Sequence, residues 1–509
     1  MLNLTPFLKA YAGWRLRALA RLDPAAAQER TLLRLTARAR DTRFGRAHGY
    51  GAIRNVADFQ ARVPLRRYED FWREYWSGAF PHLAGVTWPG TVPYFALTSG
   101  TTSGSTKYIP LTREMRRSNV RAGLDVLCHH VRARPHTQFF GGKSFMLGGS
   151  TALREEAPGI HSGDLSGIAT LTLPAYAAPY AFPDAKTALL SDWEEKIAIL
   201  AERALDEDIR ALTGTPSWVL ILLERVRALR RARGDEGPLF PRLELFIHGG
   251  VNFAPYRHRF QTLFAGQNID QREVYPASEG FIAHADRGWG EGLLLHLDHG
   301  LFFEFVPIEE LNAPSPTRHW VGTIETGINY AVVMTTCAGL HAYVIGDTVR
   351  FIGLDPPRLL ITGRTSYGLS AFGEHLIAEE IETAVAEAAE ALGLDVTDYS
   401  LGAEYPGPGR ATGGHLYICE FAAGIPPEAT LTRFAALIDA ALARLNEDYA
   451  AHRGGGFGMD APQVLALPPG SFAHWMKARG KLGGQHKVAR IINDPALWAD
   501  LKAFAARAQ

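Results

Sequence analysis

The chain has 509 residues, enough for two or more domains and a large core. Lys+Arg and Asp+Glu balance at 53 each, so no global field favours nucleic acid or an anionic membrane surface. With 47% hydrophobic and 21% charged residues the composition is that of an ordinary globular protein, and no apolar run approaches the ~20 residues a spanning helix needs.

The first segment, MLNLTPFLKAYAGWRLRALARLD, is basic and amphipathic. It lacks an uninterrupted apolar core and a small-residue cleavage site, which excludes an ordinary secretory signal; a first helix packed on the domain is favoured over a transit peptide. Residues 1–80 read as helical: Leu32, Leu33, Leu35 and Ala37 follow a 3.6-residue pattern, and VADFQARVPLRRYEDFWREY gives two short helices parted by Pro64. Cys128, Cys337 and Cys419 are far apart and form no metal-type spacing, which fits a reducing cytoplasm rather than a disulfide framework.

Tyr94 to Thr112 is the most informative stretch. Apolar strands flank Thr98-Ser99-Gly100-Thr101-Thr102-Ser103-Gly104-Ser105-Thr106-Lys107, a loop of glycines and hydroxyls ending in one cation. Such a loop can aim backbone N–H groups and hydroxyls at an anion, with Lys107 adding charge, which suits a polyphosphate. It is not a Walker loop: no glycine precedes Lys107, and Tyr108-Ile109-Pro110 continues as strand. Gly141-Gly142-Lys143-Ser144 fails too, with Thr137 at the first glycine position. The bland alternative is a flexible surface hairpin.

A helix is expected from about Arg113 to Arg132, then irregular structure over 141–185, a helix over 192–211 and another over 218–233. LELFIHGG (243–250), a helix near 255–265 and REVYPASEG (272–280) alternate as in an α/β layer architecture. Residues 292–352 are mostly strand, a β-rich subdomain or barrel. Past Asp355-Pro356-Pro357 the composition shifts to an α+β segment, which puts a boundary near 360.

Tyr275-Pro276-Ala277-Ser278-Glu279-Gly280 closes an apolar strand, where ligands bind in α/β sheets. A tyrosine can cover a base, a serine can bond a phosphate and a carboxylate can hold Mg²⁺. A structural turn fits equally. Asp347, after Tyr343-Val344-Ile345-Gly346, can accept both hydroxyls of a ribose or simply form a type I turn. Gly363-Arg364 opens the last segment, and Lys477, Lys481 and Lys487 lie in a basic, Gly-rich stretch that also reads as a solvated face. His296-Leu297-Asp298-His299 is set aside as a metal cluster, since strand neighbours face opposite sides and no further ligand is evident. No G-x-S-x-G elbow supports a hydrolase, and Glu379, Glu380 and Glu382 read as a solvated helix face.

Taken together, TSGTTSG…K, YPASEG, YVIGD, GR and the basic C-terminal stretch resemble the adenylate-forming enzymes, in family order. More closely the chain resembles the Gretchen-Hagen-type acyl acid amido synthetases, also through LTARARDTRFGRAHGY, LTGTPSW, FIHGGVNFAPY, FFEFVP, AFGEHL, EEIE and LNEDYAAHR. The resemblance implies an α/β fold: a large N-terminal ATP- and acyl-binding domain with a β-rich subdomain (1–360), and a small, mobile α+β C-terminal domain (361–509). It implies a two-step ligase that uses MgATP to adenylate a carboxylic acid and then passes the acyl group to an amine, typically an amino acid's. By position, Ser99, Gly100, Thr101, Thr102 and Gly249 would serve ATP, with Tyr275 on adenine and Ser278 at the α-phosphate. Glu279 would ligate Mg²⁺, Asp347 and Arg364 would hold ribose, and Lys487 and Lys107 would supply catalytic charge, with Lys481 next in line to Lys487. Thr365 replaces the hinge aspartate common in adenylate-forming enzymes, and Gly339-Leu340-His341-Ala342-Tyr343 replaces the Gly-Leu-Tyr-Arg-Tyr of plant members, which points away from plant hormones. Transfer to coenzyme A, or nucleotide binding without turnover, are the alternatives on the same scaffold. The sequence sets no oligomeric state, and it implies small-molecule partners, with neither nucleic acid nor a membrane span.

Overall fold

A computed structural model describes residues 2–99, 106–148, 153–175, 177–188, 190, 193–250, 253, 256–365, 368–369, 376–405, 413–446, 449–450, 453, 459–480 and 488–508. Two compact units make up the chain: Met1–Ile345 with Val349–Leu360, and Gly346–Thr348 with Ile361–Gln509.

The first unit opens with helices α1 (Thr5–Leu19), α2 (Pro24–Ala39), α3 (Arg43–Ala47), α4 (Val56–Arg62) and α5 (Tyr68–Phe71), the last running on as a π turn over Trp72–Trp76. Local chemistry starts them. Asp23 accepts from Ala26 N ahead of Pro24, a good first helical residue, and Asn55 accepts from Asp58 N. Strands β1 (Tyr94–Ser99) and β2 (Thr106–Leu111) pair antiparallel, so the Gly/hydroxyl stretch does join two strands. They share a small sheet with β4 (Arg154–Ala157) and β5 (Ile160–Gly163). Helix α6 (Arg113–Ala133) follows, capped by Thr112, whose hydroxyl also donates to the Cys337 carbonyl.

A twelve-stranded sheet is the frame of this unit. Its parallel part is β6 (Ala181–Phe182), β3 (Lys143–Leu147), β7 (Ile209–Gly214), β8 (Leu245–Gly249) and β9 (Asp270–Ala277). Helices α7 (Leu165–Leu171), α8 (Ala185–Ala188), α9 (Trp193–Ala204), α10 (Pro216–Ala232) and α11 (Arg257–Leu263) are interspersed. The sheet then turns antiparallel through β10 (Gly280–His284) and β11 (Leu293–Leu295). It continues with β16 (Pro357–Arg364), β15 (Tyr343–Leu354), β14 (Asn329–Thr336), β12 (Leu301–Pro307) and β13 (His319–Trp320). Residues 292–352 therefore extend the same sheet instead of closing a separate barrel. β12 and β14 are buried along nearly their whole length, and their continuous apolar text reflects cover on both faces.

Two expectations are corrected. The 141–185 stretch is not irregular throughout, because β3 buries Phe145 and Leu147 in the sheet interior. A five-residue strand with a Lys-Ser start shows too little alternation to announce itself. The helix expected over 192–211 ends at Ala204, and Ile209 and Ala211 enter the sheet as β7.

In the second unit, β17 (Gly368–Leu369) pairs with β18 (Leu376–Ile377), and helix α12 (Ala378–Leu392) follows. β19 (Val396–Glu404), β20 (Gly414–Phe421) and β21 (Gln463–Leu467) form a sheet with α13 (Glu428–Leu445), α14 (Ser471–Ala478) and α15 (Pro495–Ala508). Glu380 is more than a solvated face: it accepts from Ile377 N and from Asn446 Nδ2, tying the start of α12 to the end of α13. Among the described residues no helix is long and apolar enough to cross a membrane.

Candidate functional site

In the first unit, β7, β8 and β9 run parallel and end at one edge, at Gly214, Gly249 and Ala277. Backbone groups at carboxyl ends of parallel strands are the usual place for a ligand. Gly249 belongs there for a steric reason: a Cβ would lie 2.3 Å from the Val274 carbonyl oxygen. The two backbones can come this close only without a side chain.

β9 carries Tyr275 to this edge, and a two-residue hairpin, Ser278-Glu279, links it to β10. Tyr275 and Glu279 are buried, and Ser278 is half-buried. Glu279 lies against Tyr343. Burial drives the Tyr343 hydroxyl well above its ordinary pKa, and the Glu279 and Glu69 carboxylates add to the rise. A neutral phenol hydrogen-bonded to the Glu279 carboxylate is the consequence, which fixes the carboxylate in place.

Lys107 sits in β2 opposite Thr98. Its ammonium is 3.5 Å from Glu69 Oε1 and 5.4 Å from the centre of the Tyr68 ring. Lys107, Glu69, Tyr68, Tyr343 and Glu279 thus form one polar group beside β2. Glu69 and Tyr68 were missed in the sequence because they lie in a helix some 40 residues before Lys107, with no motif around them. Ser99 ends β1. Gly100, Thr101 and Thr102 lie outside the described residues, as do Lys481 and Lys487.

Two further polar groups line the same face of β9 as Tyr275. Glu273 is two residues earlier, and His248 is its register partner on β8. Burial alone pushes the Glu273 carboxyl up to about 7, and the His248 ring down to about 3. Among the described residues no hydrogen bond or ion pair reaches the Glu273 carboxyl, although its backbone carbonyl accepts from Ala285 N at 2.8 Å, and His248 Nδ1 has no partner. A charged residue inside the apolar run REVY was the available signal.

The second unit holds Asp347 and Arg364 together: Arg364 Nε donates to Asp347 Oδ1 at 2.7 Å. Gly346, with φ +91, makes the bend before Asp347, a conformation glycine adopts without strain. Thr365, at the expected hinge-aspartate position, donates its backbone N–H to the Gly346 carbonyl at 2.8 Å.

A buried carboxylate, an aromatic ring, glycine-lined strand ends and a separate carboxylate–guanidinium pair are the donor and acceptor types a magnesium nucleotide needs. The residues present fit that group.

The GH3 family N-terminal domain model matches residues 18–170 and 160–269, the central domain model 294–364 and the C-terminal domain model 379–496. A jasmonoyl–L-amino acid synthetase of Nicotiana attenuata is 22% identical over 444 residues, covering 74% of this chain and 76% of the relative. An indole-3-acetic acid-amido synthetase of Oryza sativa subsp. indica is 27% identical over 212 residues, 38% of this chain and 34% of that one. Among solved structures, a GH3.15 acyl acid amido synthetase in complex with 2,4-DB superposes with TM-score 0.79 at 16% identity, covering 96% of this chain and 95% of the other. A 2-hydroxyisobutyryl-CoA ligase in the postadenylation state reaches 0.60 at 16% identity, over 95% and 93%. At these identities the superpositions show the fold, the α/β fold of adenylate-forming ligases. With all three family models matched in order along the chain, the protein belongs to the GH3 family, whose relatives named here are amido synthetases.

Proposed function

We propose that this chain is an ATP-dependent acid–amine ligase. A carboxylate oxygen of the acid attacks the α-phosphorus of ATP, and the bond to pyrophosphate breaks. The amine nitrogen, an amino acid's, then attacks the acyl carbon; the bond to AMP breaks, the amine gives up a proton and an amide forms. Positioning and charge neutralisation carry most of such a reaction.

The observation that supports this reading is the meeting of Gly249, Tyr275, Ser278 and Glu279 at the carboxyl ends of β7–β9 in a chain of this family. In it, Tyr275 covers adenine, Ser278 bonds the α-phosphate and Glu279 holds Mg²⁺. Ser99 to Thr102 cradle phosphates and Lys107 neutralises them. Asp347 and Arg364 hold ribose, Lys487 steadies the adenylation transition state, and residues 361–509 act as a mobile domain. Three free, buried cysteines suit the cytoplasm.

The test is pyrophosphate release from MgATP across aromatic, fatty and small hydroxylated acids, with and without pooled amino acids. Acid-dependent release that rises with amino acids, plus an amide by mass spectrometry, supports the ligase. A thioester with coenzyme A and no amide would replace it with the coenzyme A reading. ATP binding without release from any acid would replace it with a nucleotide-binding protein.

A further inference from the structure

Away from the nucleotide residues, the first unit buries a chain of imidazoles. His129 Nδ1 is 2.7 Å from His284 Nε2, and His284 Nδ1 is 3.3 Å from His296 Nε2. The His296 and His299 rings meet edge to face, 4.5 Å between centres. Asp125 of α6 reaches the same place from the other side, its Oδ2 at 3.2 Å from His299 Nε2. Asp125, His296 and His299 are each no more than 3% exposed. Two premises on which the His296–His299 string was set aside do not hold in the structure. Residues 296 and 299 lie in the turn between β11 and β12, where strand alternation does not hold, and the missing third ligand comes from a helix 170 residues earlier.

We propose that Asp125, His296 and His299 form a binding site for one divalent transition-metal ion of the zinc class. One ligand atom from each lies within 4.8 Å of the others. The 3.2 Å between Asp125 Oδ2 and His299 Nε2 is the spacing of two ligands on one ion at ~2.1 Å. Imidazole and carboxylate together suit zinc or cobalt rather than magnesium.

A second observation points the same way. His299 Nδ1 is buried and no hydrogen bond reaches it. In the neutral ring a proton on Nε2 satisfies Asp125 and leaves Nδ1 bare. Moving that proton to Nδ1 frees Nε2 for an ion and turns Nδ1 towards Asp298 Oδ1, 3.7 Å away, as the carboxylate behind a metal-bound histidine.

Arg15 sets the opposing cost. It donates to both oxygens of Asp125 (Nε 2.8 Å, Nη2 2.7 Å) and both of Asp298 (Nη1 2.7 Å, Nη2 2.8 Å), and its Nη2 lies 3.3 Å from His299 Nε2. Arg121 adds a weaker, half-exposed contact to Asp298. The ion shares the Asp125 carboxylate with Arg15. Without an ion, the same residues make a closed Arg–Asp–His network.

The experiment strips the full-length chain with chelator, loads it with Zn²⁺ or Co²⁺, desalts it and measures retained metal. One ion per chain is expected, with visible Co²⁺ d–d bands and a raised Tm. His299→Ala and His296→Gln should each lose retention at least tenfold. Glu279→Gln and the exposed control His136→Ala should keep it. Two outcomes would overturn the site and leave the closed network: no retention by the wild type, or retention that both histidine substitutions leave unchanged. If either variant fails to fold, Asp125→Asn takes its place, read by the Co²⁺ spectrum.

Discussion

Asp347 and Arg364, 17 residues apart on adjacent strands β15 and β16, are joined by a 2.7 Å charged hydrogen bond. The Asp347 side chain is 15% exposed and that of Arg364 40%. In the proposed role, a carboxylate held this way would accept ribose hydroxyls at little cost in reorganisation. Asp347→Ala is expected to raise the ATP Kd and cut kcat/KM by about 10²-fold, within the range for one preorganised polar contact. Arg364→Ala should cost less. Isothermal titration with ATP and steady-state kinetics check both; unchanged ATP affinity with only a lower Tm would reduce the pair to a turn.

Glu279→Gln keeps the shape and removes the charge beside Tyr343. Pyrophosphate release should fall about 10²–10³-fold, and more Mg²⁺ should be needed. Tyr343→Phe removes only the supporting hydroxyl, so a loss of about tenfold with the same Mg²⁺ dependence is expected. Magnesium titrations of both variants separate the two roles.

Gly249→Ala tests the close approach at the edge. Its methyl would sit 2.3 Å from the Val274 carbonyl, so one strand must shift. A loss of about 1–3 kcal/mol is expected from such overpacking, read by urea unfolding, together with weaker ATP binding. Wild-type stability would mean the strands part freely.

The raised carboxyl of Glu273 has a definite sign. Its ordinary value is 4.5 and burial carries it to about 7. Between those values the folded chain keeps a proton that the unfolded chain releases, so this group makes stability fall as pH rises through the window. His248, lowered from 6.5 to about 3, makes stability fall as pH drops through that range. Comparing Glu273→Gln with wild type cancels the histidine. The variant's Tm advantage should grow from pH 4.5 to pH 7 and then level off; a constant difference would refute the assignment.

Arg318 grips Glu304 with two 2.9 Å hydrogen bonds, and Arg318 also donates to the Val63 carbonyl. Both side chains are buried. Arg318→Ala leaves the buried Glu304 carboxylate without this counter-charge, although Gln60 Nε2 still donates to it at 3.0 Å, and should cost about 3–5 kcal/mol. Arg318→Ala with Glu304→Gln should recover part of that loss, as chemical denaturation of the single and double variants would show.

Much of the frame was legible locally. Apolar periodicity and composition announced α2, α6, α10 and α12, and β-branched and aromatic runs announced β8, β12 and β14, because 3.6- and 2-residue repeats are written in adjacent residues. The order of TSGTTSG, YPASEG and YVIGD carried the family. Short buried strands such as β3, by contrast, take their state from the neighbours that pair with them.

The sequence by itself determined the long periodic elements, the family and the strand-end motifs, since each depends on residues close together in the chain. Only the tertiary structure decided which distant groups meet: Glu69 with Lys107, Tyr343 with Glu279, His248 with Glu273, and Asp125 with His299. Charges and lone pairs act over a few ångströms of space, and nothing in a linear order of residues fixes a distance between points a hundred positions apart.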